Sequence, residues 1–182
     1  MERVTVRSAD PADLPRIAAI YDDQVRTAIS TFDLEPPPRS YWEARLDSTA
    51  RGDHVLVATA DDDVVGYAYS STYRPRPAYD RTREVSVYLD SSARGRGVGR
   101  ALYDELLGRL RTDGVHQVLA VIALPNEASE ALHRACGFSR LGVLPEVGWK
   151  FDRWVDTALW GLTLAQERRI LKSGDAPGVR EE

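Results

Sequence analysis

Three glycines alternate with other residues between a strand-like and a helix-like stretch of this chain, in the run from Arg94 to Arg100. The preceding segment, Val85–Leu89, alternates as a strand does, and the following segment, Ala101–Leu110, has the apolar spacing of a helix. Backbone N–H groups at a helix N-terminus attract anions, and glycine lets an anion approach closely and tolerates positive φ. The sequence therefore predicts a strand–turn–helix unit that binds a phosphate or pyrophosphate.

Two familiar phosphate-binding loops do not fit this run. A P-loop requires Lys followed by Ser or Thr after its last glycine, but Arg100 and Ala101 stand there. A dinucleotide-binding loop requires G-x-G-x-x-G, whereas Gly95, Gly97 and Gly99 are evenly spaced. On this motif alone, an arginine- and glycine-rich surface turn stays an open alternative.

Composition narrows the class of protein. The chain has 182 residues, 43% of them hydrophobic and 29% charged, which is typical of one globular domain. Its net charge of −4 disfavours non-specific nucleic-acid binding. The single cysteine, Cys136, cannot form an intrachain disulfide, and no group of residues has metal-ligand spacing. We expect a cytoplasmic protein with no metal, no membrane span and no nucleic-acid partner.

Periodicity predicts the order β-α-α-β-β-β-α-β-α-β-β, which makes an α/β fold with helices on both faces of a mixed sheet. Ser40 is expected to cap the second helix, with Glu43 as its capping-box partner. We expect one domain over residues 1–171 and a disordered tail over 172–182. The expected strands lie around Val4 and Val6 and at His54–Ala60, Val64–Ser70, Glu84–Leu89, Gln117–Leu124, Phe138–Leu144 and Trp154–Leu164.

The run from Arg94 to Gly99 matches the R/Q-x-x-G-x-G/A signature, and with the element order it resembles the GNAT acyltransferases. The chain also resembles a narrower family, the phosphinothricin and methionine sulfoximine N-acetyltransferases. The resemblance implies the GNAT fold, with a central, twisted, mostly antiparallel sheet, and an acetyl-CoA-dependent N-acetyltransferase. Stretches that carry the narrower resemblance include Thr31-Phe32, Tyr79–Thr82, Glu84–Tyr88, Leu124–Asn126, Leu132–Phe138 and Gly148–Asp156.

The resemblance implies a set of residues that bind acetyl-CoA. The backbone of Val87, Tyr88 and Leu89 is expected to pair with the pantetheine arm, and the Asn126 amide to hydrogen-bond it. Asn126 could equally cap the helix that follows, and one residue can serve both roles. The glycine turn would hold the pyrophosphate through Arg94, Gly95, Arg96, Gly97, Val98, Gly99 and Arg100.

Two residues are candidates for proton transfer. Glu84 opens the strand that leads to the glycine turn, and the family uses a glutamate at the matching position as general base. The alternative for Glu84 is a salt bridge to Arg81 or Arg83. His133 lies on the helix after Asn126, where many GNAT enzymes have a tyrosine that acts as general acid and the narrower family has histidine. A neutral imidazole can relay a proton near pH 7. The alternative for His133 is an ordinary core or surface histidine.

The acceptor implied by the resemblance is a small amino-acid-like compound that carries a tetrahedral anionic or strongly polar group. Guanidinium groups bind such anions in a bidentate way, and four arginines precede Glu84 in one loop. Alternatives are another amine, such as a peptide N-terminus, or an acyl-CoA sensor without turnover. A homodimer is also expected, with aromatic residues near Trp149–Trp160 suited to an interface. The expected substrate residues are Phe32, Arg74, Arg76, Tyr79, Tyr88 and Lys150.

Overall fold

The computed structural model describes residues 4–164. The order of elements in this range is the order predicted from the sequence, and the expected tail at 172–182 lies outside the described residues. The elements are β1 (Thr5–Ser8), α1 (Leu14–Thr27), α2 (Arg39–Leu46), β2 (His54–Ala60), β3 (Asp63–Thr72), β4 (Thr82–Leu89), α3 (Val98–Thr112), β5 (Gln117–Ala123), α4 (Glu127–Ala135), β6 (Ser139–Lys150) and β7 (Arg153–Thr163).

The strands form one sheet in the order β1-β2-β3-β4-β5-β7-β6. Every neighbouring pair is antiparallel except β4 and β5, which are parallel. The expected mixed, mostly antiparallel sheet is therefore confirmed. The parallel register begins at Thr82 opposite Gln117 and ends at Glu84 opposite Leu119, although both strands continue. We call the gap that opens beyond this last pair the fork.

Each face of the sheet carries its own core. On one face, α1 and α2 bury Ile17 and Trp42 against Tyr67 of β3. On the other face, α3 packs Leu102 and Leu106 among aliphatic side chains of the strands. Burying a side chain of this size contributes about 1.5–3 kcal/mol. The helices on both faces thus fix the positions of β4 and β5, which border the fork.

Local details differ from the sequence predictions at three places. α2 begins at Arg39 after an extended Pro38 and has no side-chain cap, so Ser40 lies inside the helix and Glu43 pairs with Arg39. β6 runs to Lys150, beyond the expected end, because it continues to pair with β7 across two register shifts. Trp160 is 2% exposed and belongs to the core, so it cannot contribute to an exposed aromatic surface.

Candidate active site

A cavity of about 530 Å³ lies at the fork. Its walls come from β4 and β5, from the N-terminal parts of α3 and α4, and from the end of α1 with the loop that follows. Because α1 and α3 lie on opposite faces, the cavity passes through the sheet. The predicted residues that line it are Val87, Tyr88, Leu89, Arg94, Gly95, Gly97, Val98, Gly99, Arg100, Asn126 and His133.

The glycine turn leaves the N-terminus of α3 open toward this cavity. Gly95 and Gly97 have φ of +72° and +81°, a region that L side chains rarely adopt. Gly97 directly precedes α3, and no side chain caps the helix there. Gly99 has a different reason to be glycine, because an added Cβ would lie 3.0 Å from Leu132 Cδ2 of α4. The first two glycines thus shape the turn, and the third allows two helices to pack closely.

The three arginines of the turn are exposed but do not share one environment. Arg94 lines the cavity, whereas Arg96 does not. Arg100 pairs with Asp104 at 2.8 Å and donates a 2.6 Å hydrogen bond to the Ala135 carbonyl. Arg100 therefore links α3 to the end of α4 as well as bordering the cavity.

The N-terminus of α4, by contrast, is capped. The side-chain oxygen of Asn126 accepts a 3.1 Å hydrogen bond from the Ser129 backbone N–H. Asn126 therefore caps α4, which was one of its two expected roles, and it also borders the cavity.

Glu84 lies at the closed end of the fork, on the face covered by α1 and α2. Ser86 follows Glu84 by two residues, so both side chains lie on the same face of β4. Ser86 lines the cavity, and Glu84 is half-buried next to Ser86. Burial raises the pKa of the Glu84 carboxyl. Arg83 points to the opposite face, where its Nε lies 3.3 Å from Asp53 Oδ1. Within residues 4–164 neither Arg81 nor Arg83 forms an ion pair with Glu84, so the salt-bridge alternative does not hold there.

His133 is 3% exposed and has both ring nitrogens engaged at the cavity wall. Its Nδ1 lies 2.8 Å from the Ser129 carbonyl, which can only accept, so Nδ1 carries a proton. Burial lowers the pKa of the imidazole and keeps the ring neutral near pH 7. Nε2 is then an acceptor and receives the Tyr103 hydroxyl at 3.0 Å.

Two expected substrate residues hold a loop instead of lining the cavity. The Phe32 ring covers Gly148 so closely that an added Cβ would lie 1.9 Å from its Cε1. Lys150 is 2% exposed and donates a 2.8 Å hydrogen bond to the Thr31 carbonyl. Lys150 thus fastens the loop after α1 to the end of β6, which is the physical reason it is not at the cavity wall.

The arginine-rich loop between β3 and β4 lies at the end of the sheet where Glu84 stands. Arg74 and Arg76 are exposed, and the Arg74 guanidinium lies 5.1 Å from the centre of the Tyr73 ring. Tyr79 meets Tyr73 edge to face at 5.5 Å. None of the three predicted residues of this loop lines the cavity, and Tyr88 alone of the expected substrate set does so.

Sequence reasoning did not single out Tyr103, which lies in the apolar stripe of α3. It is fully buried, it borders the cavity, and burial raises the pKa of its hydroxyl. A polar-tipped aromatic residue in an otherwise aliphatic stripe was the available signal. None of the helices in the described range could cross a membrane.

Known proteins are similar to this chain in sequence and in fold. A family model described as the acetyltransferase (GNAT) family matches residues 17–138. The chain is 43% identical over 173 residues to a phosphinothricin N-acetyltransferase of Alcaligenes faecalis, covering 94% of this chain and 84% of that protein. It is 39% identical over 166 residues to an L-methionine sulfoximine/L-methionine sulfone acetyltransferase of Pseudomonas aeruginosa, covering 90% and 96%. A crystal structure of a Sinorhizobium meliloti phosphinothricin acetyltransferase with AcCoA has a TM-score of 0.85 and 40% identity, over 88% of each chain.

Proposed function

The chain belongs to the GNAT family of acetyltransferases, and from that premise we propose that it acetylates the α-amine of a small amino acid of the phosphinothricin or methionine sulfoximine type. The observation that carries this proposal is the cavity that passes through the sheet at the fork. It joins an uncapped helix N-terminus on one face to the surroundings of Glu84 on the other. A donor and an acceptor could therefore meet there from opposite faces.

Acetyl-CoA is the acetyl donor of this family, and the residues at the fork fit it. The open N-terminus of α3, with Gly95 and Gly97 before it, suits a pyrophosphate because its N–H groups have no side-chain cap. The edge of β4 from Val87 to Leu89 faces the fork without β5 as a partner, so its backbone can bind the amides of a pantetheine arm. When bound, acetyl-CoA supplies the thioester carbonyl that the amine attacks.

Glu84 acts as the general base in this proposal. Its half-buried carboxyl has a raised pKa, which makes it a stronger base than an exposed glutamate while it stays ionised above that pKa. It takes the proton of the acceptor ammonium, directly or through a water, and the free amine then attacks the thioester carbonyl. The new C–N bond forms, the C–S bond breaks, and CoA leaves as a thiolate that takes up the proton released by the attacking nitrogen, through solvent. Alignment of amine and thioester at the fork supplies much of the acceleration.

His133 is a positioning residue in the same proposal. Because Nδ1 donates to Ser129 and Nε2 accepts from Tyr103, the ring has no N–H left for the donor thiol. The pair instead fixes the Tyr103 side chain in the cavity wall below the fork.

The loop that carries Arg76 supports an anionic acceptor. The Arg76 guanidinium is exposed and has no ion-pair partner among residues 4–164, so it is available to a phosphinate, sulfoximine or carboxylate group.

A thiol-release assay with acetyl-CoA tests the proposal across phosphinothricin, methionine sulfoximine, methionine sulfone, glutamate, an aminoglycoside and a short peptide. We expect the first three to react fastest. Preference for the peptide would favour the alternative acceptor, and no thiol release with any amine would favour a sensor.

We further propose that the enzyme is a cytoplasmic homodimer that uses β6 as part of its interface. Leu144 and Val147 on this edge strand are 53% and 55% exposed, and the Trp149 and Trp154 rings meet edge to face at 5.1 Å beside them. A contiguous exposed apolar surface is typical of protein interfaces. Light scattering after size-exclusion chromatography checks the mass, and a Leu144→Glu variant is expected to be monomeric.

A further inference from the structure

The face of the sheet that carries Glu84 also carries a fixed cation, Arg45, that the proposed function does not use. Arg45 lies on α2, with its guanidinium carbon 3.9 Å above the centre of the Tyr69 ring and 4.7 Å from that of Tyr41. It donates a 2.6 Å hydrogen bond to the Tyr41 hydroxyl. The guanidinium is therefore held between two aromatic rings and cannot swing freely into solvent.

The strand register places Arg45 beside Glu84. Tyr69, on which Arg45 stacks, is paired with Ser86, and the next pair on the same face is Ser71 with Glu84. Arg45 thus lies over the strand pair that carries the carboxylate, and within residues 4–164 it has no carboxylate within salt-bridge distance.

We propose that Arg45 is a positioning residue that keeps the Glu84 carboxylate ionised and ready to accept a proton from the acceptor amine. This inference rests on the proposed role of Glu84 as general base. A fixed positive charge near a half-buried carboxylate favours its ionised form, and the effect is larger where water is partly excluded.

The other titratable groups on this face do not supply that charge. They are Tyr41 from α2, Tyr21 from α1, Tyr67 and Tyr69 from β3, and Tyr88 from β4. Two further groups lie by the loop after α1: Asp33, which accepts a hydrogen bond from Tyr21 and carries no positive charge, and Lys150, whose ammonium donates to the Thr31 carbonyl and is not among the groups that shift the pKa of Glu84. Burial raises the pKa of the Tyr21, Tyr67, Tyr69 and Tyr88 hydroxyls, so these four stay neutral over the working pH range. For Glu84, burial raises the pKa and the Arg45 charge opposes that rise. Arg83, the neighbouring cation on β4, faces the other side of the sheet.

The test compares Arg45→Met and Arg45→Lys with a matched control, Arg39→Met, on the same helix. Arg39 is exposed and pairs with Glu43, so its removal should leave the pH profile unchanged. Two quantities are measured: the pKa of the Glu84 carboxyl by ¹³C NMR of glutamate-labelled protein, assigned with Glu84→Gln, and the pH dependence of kcat/KM for the best acceptor. Thermal melting confirms that each variant is folded.

We expect Arg45→Met to raise the NMR pKa of Glu84 and to move the acidic limb of kcat/KM upward by about one pH unit, which is roughly tenfold in rate on the acidic side. Arg45→Lys should stay near the parent, and at high pH Arg45→Met should regain the parental KM. An unchanged NMR pKa would overturn the role of Arg45. A shifted NMR pKa without a shifted activity limb would instead overturn Glu84 as base. A KM raised at every pH would assign Arg45 to acceptor binding and overturn the positioning role.

Discussion

The two faces of the sheet are built from different side chains, although the same strands separate them. The α3 face is mainly aliphatic, and its functional element is a backbone turn, with Gly97 in a left-handed conformation before an uncapped helix. The α1 and α2 face is rich in tyrosine, with Glu84 and Arg45 among the rings. In the proposed function, one face offers backbone dipoles to the anionic donor, and the other offers the Glu84 carboxylate to the acceptor amine. The following variants test this division from the largest expected effect to the smallest.

Glu84→Gln tests the tyrosine-rich face directly. General bases contribute about 10²–10⁴-fold, so we expect kcat to fall by that factor near neutral pH. The acidic limb of the pH profile, where activity falls as Glu84 becomes protonated, should vanish. The affinity for acetyl-CoA, measured by calorimetry, should stay unchanged because the turn lies on the other face.

Stability provides the check on this variant. The raised pKa means that the folded state favours the neutral carboxyl. The free energy of unfolding therefore falls as the pH rises from the ordinary pKa of a glutamate through the pKa of Glu84 in the folded protein. Glutamine resembles the neutral carboxyl, so the melting temperature of the Glu84→Gln variant at pH 7 should not be below that of the parent protein. Glu105→Gln, an exposed change on α3, is the control. A loss of only a few-fold in kcat for Glu84→Gln would remove its catalytic assignment.

Arg76→Ala tests whether the loop before β4 recognises an anionic acceptor. A lost charged hydrogen bond costs ~1.5–3 kcal/mol, so we expect the KM for phosphinothricin to rise roughly 10- to 150-fold. The KM for acetyl-CoA should not move. Equal KM values for parent and variant would show that the acceptor does not use this guanidinium.

Gly97→Ala tests the backbone turn, with Gly108→Ala as its matched control. An added Cβ meets nothing within 4 Å at either position, but only Gly97 has a positive φ. Left-handed backbone costs an alanine about 1–2 kcal/mol, so the turn should relax and the affinity for acetyl-CoA should fall about tenfold. Gly108→Ala, in mid-helix, should bind normally and gain stability. Equal affinities of the two variants for acetyl-CoA would show that the turn conformation does not matter for binding.

Tyr103→Phe is expected to have the smallest kinetic effect. It leaves His133 Nε2 buried without its donor, which should cost about 1–3 kcal/mol in the free energy of unfolding. kcat should fall by no more than about tenfold, since the pair positions groups and transfers no proton. Replacing both partners, with Tyr103→Phe and His133→Phe together, should recover part of the lost stability. A thousand-fold loss of kcat for Tyr103→Phe would make its hydroxyl a participant in the chemistry.

Periodicity and turn residues were sufficient to predict the order of elements and the turn before α3, because both are local properties of the chain. Glu84 was singled out by the resemblance to the family, because its place on a predicted strand alone would equally have suited a salt bridge; the structure begins that strand two residues earlier, at Thr82. The end of the β4–β5 register could not be predicted, because it depends on how two strands distant in sequence are held by helices on both faces. Arg45 and Lys150 were missed or misplaced because their partners, Tyr69 and Thr31, are brought close only by the tertiary fold.

The fork also has a thermodynamic consequence. At the centre of the sheet, β4 and β5 share only three residue pairs, fewer than any other neighbouring strands of the sheet. A ligand that pairs with β4 at the fork would behave as a missing strand, so folding and binding become linked equilibria. At 100 times its dissociation constant, such a ligand adds about 2.7 kcal/mol to the stability of the native state. Amide hydrogen exchange at Val87 and Leu89 should therefore slow when acetyl-CoA is added, and the midpoint of thermal unfolding should rise with its concentration.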